Sequence, residues 1–129
     1  MRNTFRRRAA AVVVGAGVVL GGFVTTAAPA NALSPAATAF NNCLTRYTEA
    51  ANKAERLRQS SLAQAVHLTG LANCNYQLSQ RSDISDQQEI NAINNYNRYR
   101  PAAQQAITKA GLVYYRSFIA KAGLAGLRL

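Results

Sequence analysis

A chain of 129 residues with fifteen basic and five acidic side chains, a net charge of +10, has room for one domain that buries about two thirds of its unfolded surface. One histidine and two cysteines expected to be bridged to each other leave no tetrahedral metal set. Five carboxylates leave few ways to converge an acid–base pair on one site.

Residues 1–32 read as a secretory signal. Residues 1–8 carry four arginines and no acid, residues 9–24 are apolar, and Ala30-Asn31-Ala32 supplies the small residues of a cleavage site after Ala32. The rival reading, an uncleaved anchor, is opposed by Gly15, Gly17, Gly21 and Gly22 within the apolar stretch and by Pro29 before the cleavage site. Phe5 stands where twin-arginine export places serine or threonine, so general secretion is expected. The Ala/Gly/Val-rich signal suggests a bacterial source. A single mature domain, residues 33–129, with no transmembrane helix after cleavage, would then work outside the cell or on its envelope. Loss of the four signal arginines leaves eleven basic against five acidic residues, a net of +6. Residues 33–89 are electrically balanced; residues 90–129 hold six basic side chains and no acid, an asymmetry that concerns partners more than fold.

Ser34-Pro35 is an N-cap followed by a first-turn proline. Phe40, Cys43, Leu44, Tyr47, Ala50, Ala51, Ala54 and Leu57 then recur at helical spacing. After Ser60-Ser61, a second helix carries Ala63, His67, Leu71, Cys74 and Leu78. In an exported protein Cys43 and Cys74 are expected to form a disulfide. One continuous helix would hold them about 46 Å apart, at about 1.5 Å per residue, so the chain must turn between them. The midpoint of the pair falls between Arg58 and Gln59, directly before Ser60-Ser61. Both signals place the same turn, giving an antiparallel helical hairpin with Tyr47 facing Gly70 and Ala50 facing His67.

Residues 79–85 are the next connection. Ser85 and Asp86 compete to cap a third helix whose apolar stripe is Ile90, Ile93 and Tyr96 or Asn97, flanked by Ala92 and Tyr99. It is expected to stop at Arg100, because Pro101 suits the opening of a new helix. The last helix runs through Ala103, Ile107, Ala110, Tyr114, Phe118 and Ala122 to Gly123. The expected fold is all-α: a small four-helix bundle built on the disulfide-closed hairpin.

No catalytic, cofactor-binding or metal-ligating residue is assigned. Asp83, Asp86 and Glu89 sit at a helix start, where the macrodipole favours carboxylates, and Glu49 lies four residues before Lys53 as a solvated pair. His67 precedes Leu68, where small helical phospholipases carry aspartate, and reads as partly buried. Haem held by His67, Tyr47 or Tyr76, or a small secreted hydrolase, ranks last among the readings.

The positive signal is cationic. Arg98, Arg100, Lys109, Arg116 and Lys121, interleaved with Tyr99 and Tyr115, are the candidate contacts for an anionic partner. Tyr114 and Phe118 belong to the helical stripe and are assigned to the core. Export makes an anionic envelope polymer or a phospholipid surface a better partner than nucleic acid. The expected function is therefore a non-enzymatic cationic binding module. The alternative is a membrane-active, bacteriocin-like antibacterial protein that uses the basic helix of residues 107–129.

Overall fold

The computed structural model describes residues 34–127, together with a short antiparallel backbone pairing of β1 (Ala11–Val14) with β2 (Ala16–Gly17). The rest of the expected export signal, its cleavage site and Arg128 lie outside the described residues. Residues 34–127 fold into four helices, α1 (Pro35–Arg56), α2 (Ser60–Ser79), α3 (Asp86–Ala110) and α4 (Leu112–Ala122), with no strand among them. They form the all-α bundle that the periodicity predicts.

The hairpin closes as expected. Ser34 accepts from the Ala37 amide at 3.1 Å with Pro35 in the first turn of α1, satisfying one of the amides that a helix start leaves without a partner. Cys43 and Cys74 are joined, their Cα atoms 5.8 Å apart. Closing a separation of 31 residues stabilises the fold by about 3.5–4 kcal/mol on a chain-entropy view. One turn further along each helix, Tyr47 lies directly on Gly70: a β-carbon built on Gly70 would stand 2.6 Å from the Tyr47 Cγ. Glycine is required there by close approach, since a methyl group would overlap the ring.

The turn between α1 and α2 has an unusual occupant. The Gln59 amide donates to the Ala54 carbonyl at 3.0 Å and the Arg58 amide to Glu55 at 2.9 Å, the bonding of a Schellman motif, with Arg58 at φ 60 where glycine is usual. An L side chain in this left-handed region costs about 1–2 kcal/mol. The cap of α2 also differs from expectation. Gln59, not Ser60, is the N-cap, and its side chain makes no capping bond.

Helix α2 lies at the centre. It packs on both α1 and α3 and buries residues around its whole circumference, including Leu62, Ala65, Val66, Thr69, Ala72 and Leu78. A helix apolar on all sides belongs in a core. A buried polar side chain within it is satisfied: Asn75 donates to the Leu71 carbonyl at 2.7 Å and accepts from Asn95 of α3 at 3.3 Å. His67 is the exception to its predicted stripe, being exposed, although the surrounding protein lowers its pKa by desolvation.

Helix α3 corrects the predicted boundary. Ser85 caps it in a reciprocal capping box with Gln88, but the helix continues through Pro101 to Ala110. Pro101 and Asn97 are both exposed, so water can serve the Asn97 carbonyl that proline leaves without a ladder donor. On the opposite side Ala92, Tyr96, Tyr99, Ala103, Ala106 and Ala110 follow one another at intervals of four and three, and all six are buried or partly buried against the core. That unbroken stripe outweighs the proline. Ile90 and Ile93, assigned to the core by sequence, are instead 51% and 39% exposed.

The true break is Gly111, at φ 99. Starting a new helix there resets its phase, so α4 buries Tyr115 and Ile119 instead of the predicted Tyr114. Tyr114 is 73% exposed and Tyr115 only 2%. The chain then folds back over the hairpin. The Tyr47 hydroxyl donates to the Ala125 carbonyl at 2.7 Å, Asn73 donates to the Gly126 carbonyl at 3.1 Å, and Arg46 donates to the Gly123 carbonyl at 3.2 Å. Inside, a relay runs from the Leu127 amide to the Tyr115 hydroxyl at 2.9 Å, and on to the Thr69 hydroxyl at 2.8 Å. Thr69 donates its own proton to the Ala65 carbonyl, so Tyr115 is the donor to Thr69. Burial raises the Tyr115 pKa above its ordinary value.

Candidate functional site

A cleft of about 870 Å³ opens between the C-terminal half of α1, the α1–α2 turn and α4. Five basic residues line it, Arg46, Lys53, Arg56, Arg58 and Lys121, against one acid, Glu49. Their arrangement follows from local rules. Arg46, Lys53 and Arg56 occupy positions on α1 away from the buried stripe, Arg58 is placed by the left-handed turn, and Lys121 comes from the last turn of α4. Arg46 is committed in part to the Gly123 carbonyl. Lys53, Arg56, Arg58 and Lys121 are exposed and, among the described residues, take part in no side-chain hydrogen bond or ion pair. The expected Glu49–Lys53 pair is not closed. The ion pair present, Arg81–Asp83 at 2.8 Å, lies in the α2–α3 connection, where it holds the Asp83 carboxyl below its ordinary pKa.

The rest of the lining is apolar or neutral. Leu57, Leu62, Ala50, Ala110 and Phe118 contribute hydrocarbon surface, and Tyr114 presents its ring. Leu57, assigned by periodicity to the core, is 58% exposed at this rim. Ser60 and Ser61 add hydroxyls, and they belong to the first turn of α2, whose amides lack a side-chain cap. Unpaired cations, hydroxyls and open helix amides all favour the same charge sign. Such a surface can hold an oxyanion; the adjoining aromatic and aliphatic side chains can cover an apolar or ring-shaped portion of the same ligand.

The candidate contacts read from sequence do not converge. Lys121 alone of them lines the cleft. Arg98 and Lys109, eleven residues apart, share one face of α3, and Arg98 lies 6.0 Å over the Tyr99 ring. Tyr99 itself packs partly into the core. Arg100 is half-buried on the other side of α3, and Arg116 faces outward from α4 beside Val113. Tyr115 is withdrawn from solvent altogether, for the phase reason given above. The cleft's remaining cations, Arg46, Lys53, Arg56 and Arg58, come from the segment that charge counting treats as neutral. Counting misses them because Glu49, Glu55, Asp83, Asp86 and Glu89 cancel them and Arg81 in number, while of those acids Glu49 alone lines the cleft. A helical projection of residues 46–58 carries the available signal.

Among the described residues, no group of three His, Cys, Asp or Glu side chains could hold a metal ion. Tyr47, one of the three haem-ligand candidates, commits its hydroxyl to the Ala125 carbonyl, and Tyr76 packs against Tyr96 with ring centroids 5.2 Å apart. No helix among the described residues is long and apolar enough to cross a membrane. No known protein family, curated protein or solved structure matches the chain.

Proposed function

We propose that the protein is an exported, non-enzymatic binding module whose cleft between α1 and α4 takes a repeating oxyanion of the cell envelope. The observation that carries this reading is the cleft's five-to-one excess of basic over acidic side chains, four of the five basic ones without a side-chain partner among the described residues. An internal disulfide suits the oxidising compartment that the reading requires. A long-chain polyphosphate serves as a defined probe. Binding measured by titration calorimetry is expected to weaken steeply as salt rises and to fall at least tenfold in a Lys53→Glu/Arg56→Glu variant. Binding unaffected by that variant but lost in Arg98→Glu/Lys109→Glu would move the site to α3 and refute the cleft.

The alternative of a membrane-lytic C-terminal helix has less support. The apolar side chains it would need, Ile107, Tyr115, Ile119 and Leu127, are buried in the core, so their insertion would require the bundle to open.

A further inference from the structure

The first turn of α4 exposes what a folded domain normally hides. Leu112, Val113 and Tyr114 are consecutive, and they are 37%, 77% and 73% exposed. None of the three belongs to the core, and two of them, Leu112 and Val113, lie outside the cleft lining. Gly111 sets this tip apart by turning the chain at φ 99 between α3 and α4. Exposed Lys109 precedes it and exposed Arg116 follows it, and no acidic residue occurs anywhere after Glu89. The tip is therefore a short exposed apolar segment flanked along the chain by positive charge.

We infer that this tip docks the folded protein on an anionic phospholipid surface. Charge complementarity selects that occupant. A second copy of the chain would bring Lys109 and Arg116 against like charges, whereas anionic head groups neutralise them as the apolar tip passes beneath. Tyr114 suits the boundary, because its ring is amphipathic and favours the depth between head group and hydrocarbon. Gly111 supplies no side-chain cap to α4, so the amides of the first turn are also open to phosphate oxygens. Docking of this kind leaves Tyr115 and Ile119 in the core, so it is peripheral and does not breach the bilayer. It rests on the coarser part of the proposed function, an anionic partner, and not on the cleft.

The chain contains no tryptophan, so Val113→Trp provides a single fluorescent reporter at the tip. Phosphatidylcholine vesicles with and without phosphatidylglycerol are the probes. All forms are prepared identically, so any contribution of residues 1–32 is common to them. The expected result is a blue shift of the V113W tryptophan emission only with phosphatidylglycerol, flotation that weakens with salt, and no release of entrapped dye. Val113→Asp, at an exposed position, should retain the helical circular dichroism spectrum and lose vesicle binding at least tenfold. Flotation of wild type without a blue shift in V113W would overturn the proposal, as would flotation unchanged in V113D. A wild-type dimer that V113D converts to monomer in sedimentation would assign the tip to self-association and overturn it equally. The cleft variant Lys53→Glu/Arg56→Glu separates the two readings, since it should abolish polyphosphate binding while leaving the V113W blue shift in place.

Discussion

Replacing Gly70 by alanine sets two physical effects of opposite sign against each other. In an isolated helix the change is favourable by about 0.8–1 kcal/mol, because alanine loses less backbone freedom than glycine. In the bundle the new methyl group would stand 2.6 Å from the Tyr47 Cγ and 3.2 Å from its Cδ2. Carbon atoms prefer about 3.5–4.0 Å, so α1 and α2 must part by roughly 1 Å or the ring must leave its place. Both escapes are restrained. The Cys43–Cys74 bond fixes the same interface one turn away, and the Tyr47 hydroxyl is held at the Ala125 carbonyl. Overpacking costs about 1–3 kcal/mol, and these restraints favour the upper half of that range. The net expectation is a loss of about 1–2 kcal/mol, or a fall in melting temperature of about 5–15 °C for a domain of this size. Urea and thermal unfolding followed by far-ultraviolet circular dichroism, with the disulfide intact, measures it. A Gly70→Ala protein as stable as wild type, or more so, would refute the close helix approach.

Tyr115→Phe removes the hydroxyl that joins the Leu127 amide to Thr69; leaving that buried amide without an acceptor should cost about 1–3 kcal/mol, with hydrogen exchange at Leu127 faster by at least tenfold. Arg58→Gly relieves a positive φ of 60 and is expected to raise stability by about 0.5–1 kcal/mol in urea unfolding while weakening polyphosphate binding in the same calorimetric assay. Desolvation by the surrounding protein lowers the pKa of the exposed His67 from its ordinary 6.5. In the interval between that folded value and 6.5 the unfolded chain binds more protons, so stability should decline as pH falls below about 6.5 and level off once both states are protonated. His67→Gln should flatten this part of the pH profile, and a profile unchanged by the substitution would exclude His67 as its source.

The hairpin is legible because two local signals have a covalent ruler to check them. Cys43 and Cys74 locate the turn, and the Tyr47–Gly70 register follows, since residues equidistant from a turn must meet in antiparallel helices. The capping box at Ser85 is equally local. The boundary of α3 is not. Pro101 is a breaker by its own chemistry, and only the burial of Ala92, Ala103 and Ala106 in the core shows that a continuous helix is the better solution. A spacing of four and three runs through Pro101, but the larger isoleucines at 90 and 93 draw the stripe to the wrong face.

From that one displaced boundary comes the exchange of Tyr114 and Tyr115. A helix restarted at Gly111 turns each following side chain by about 100° relative to a residue-shifted register, which moves Tyr115 inward to Thr69 and Leu127 and leaves Tyr114 on the rim of the cleft.

The amino-acid sequence alone determined the quantities that depend on residue identity and near-neighbour spacing: the all-α class, the disulfide, the first turn and the positive charge. Tertiary structure alone decided where that charge gathers. Helical side chains diverge by angle while charge counts add by position, so Lys53, Arg56 and Arg58 could cancel in a sum yet stand together with Lys121 in one cleft.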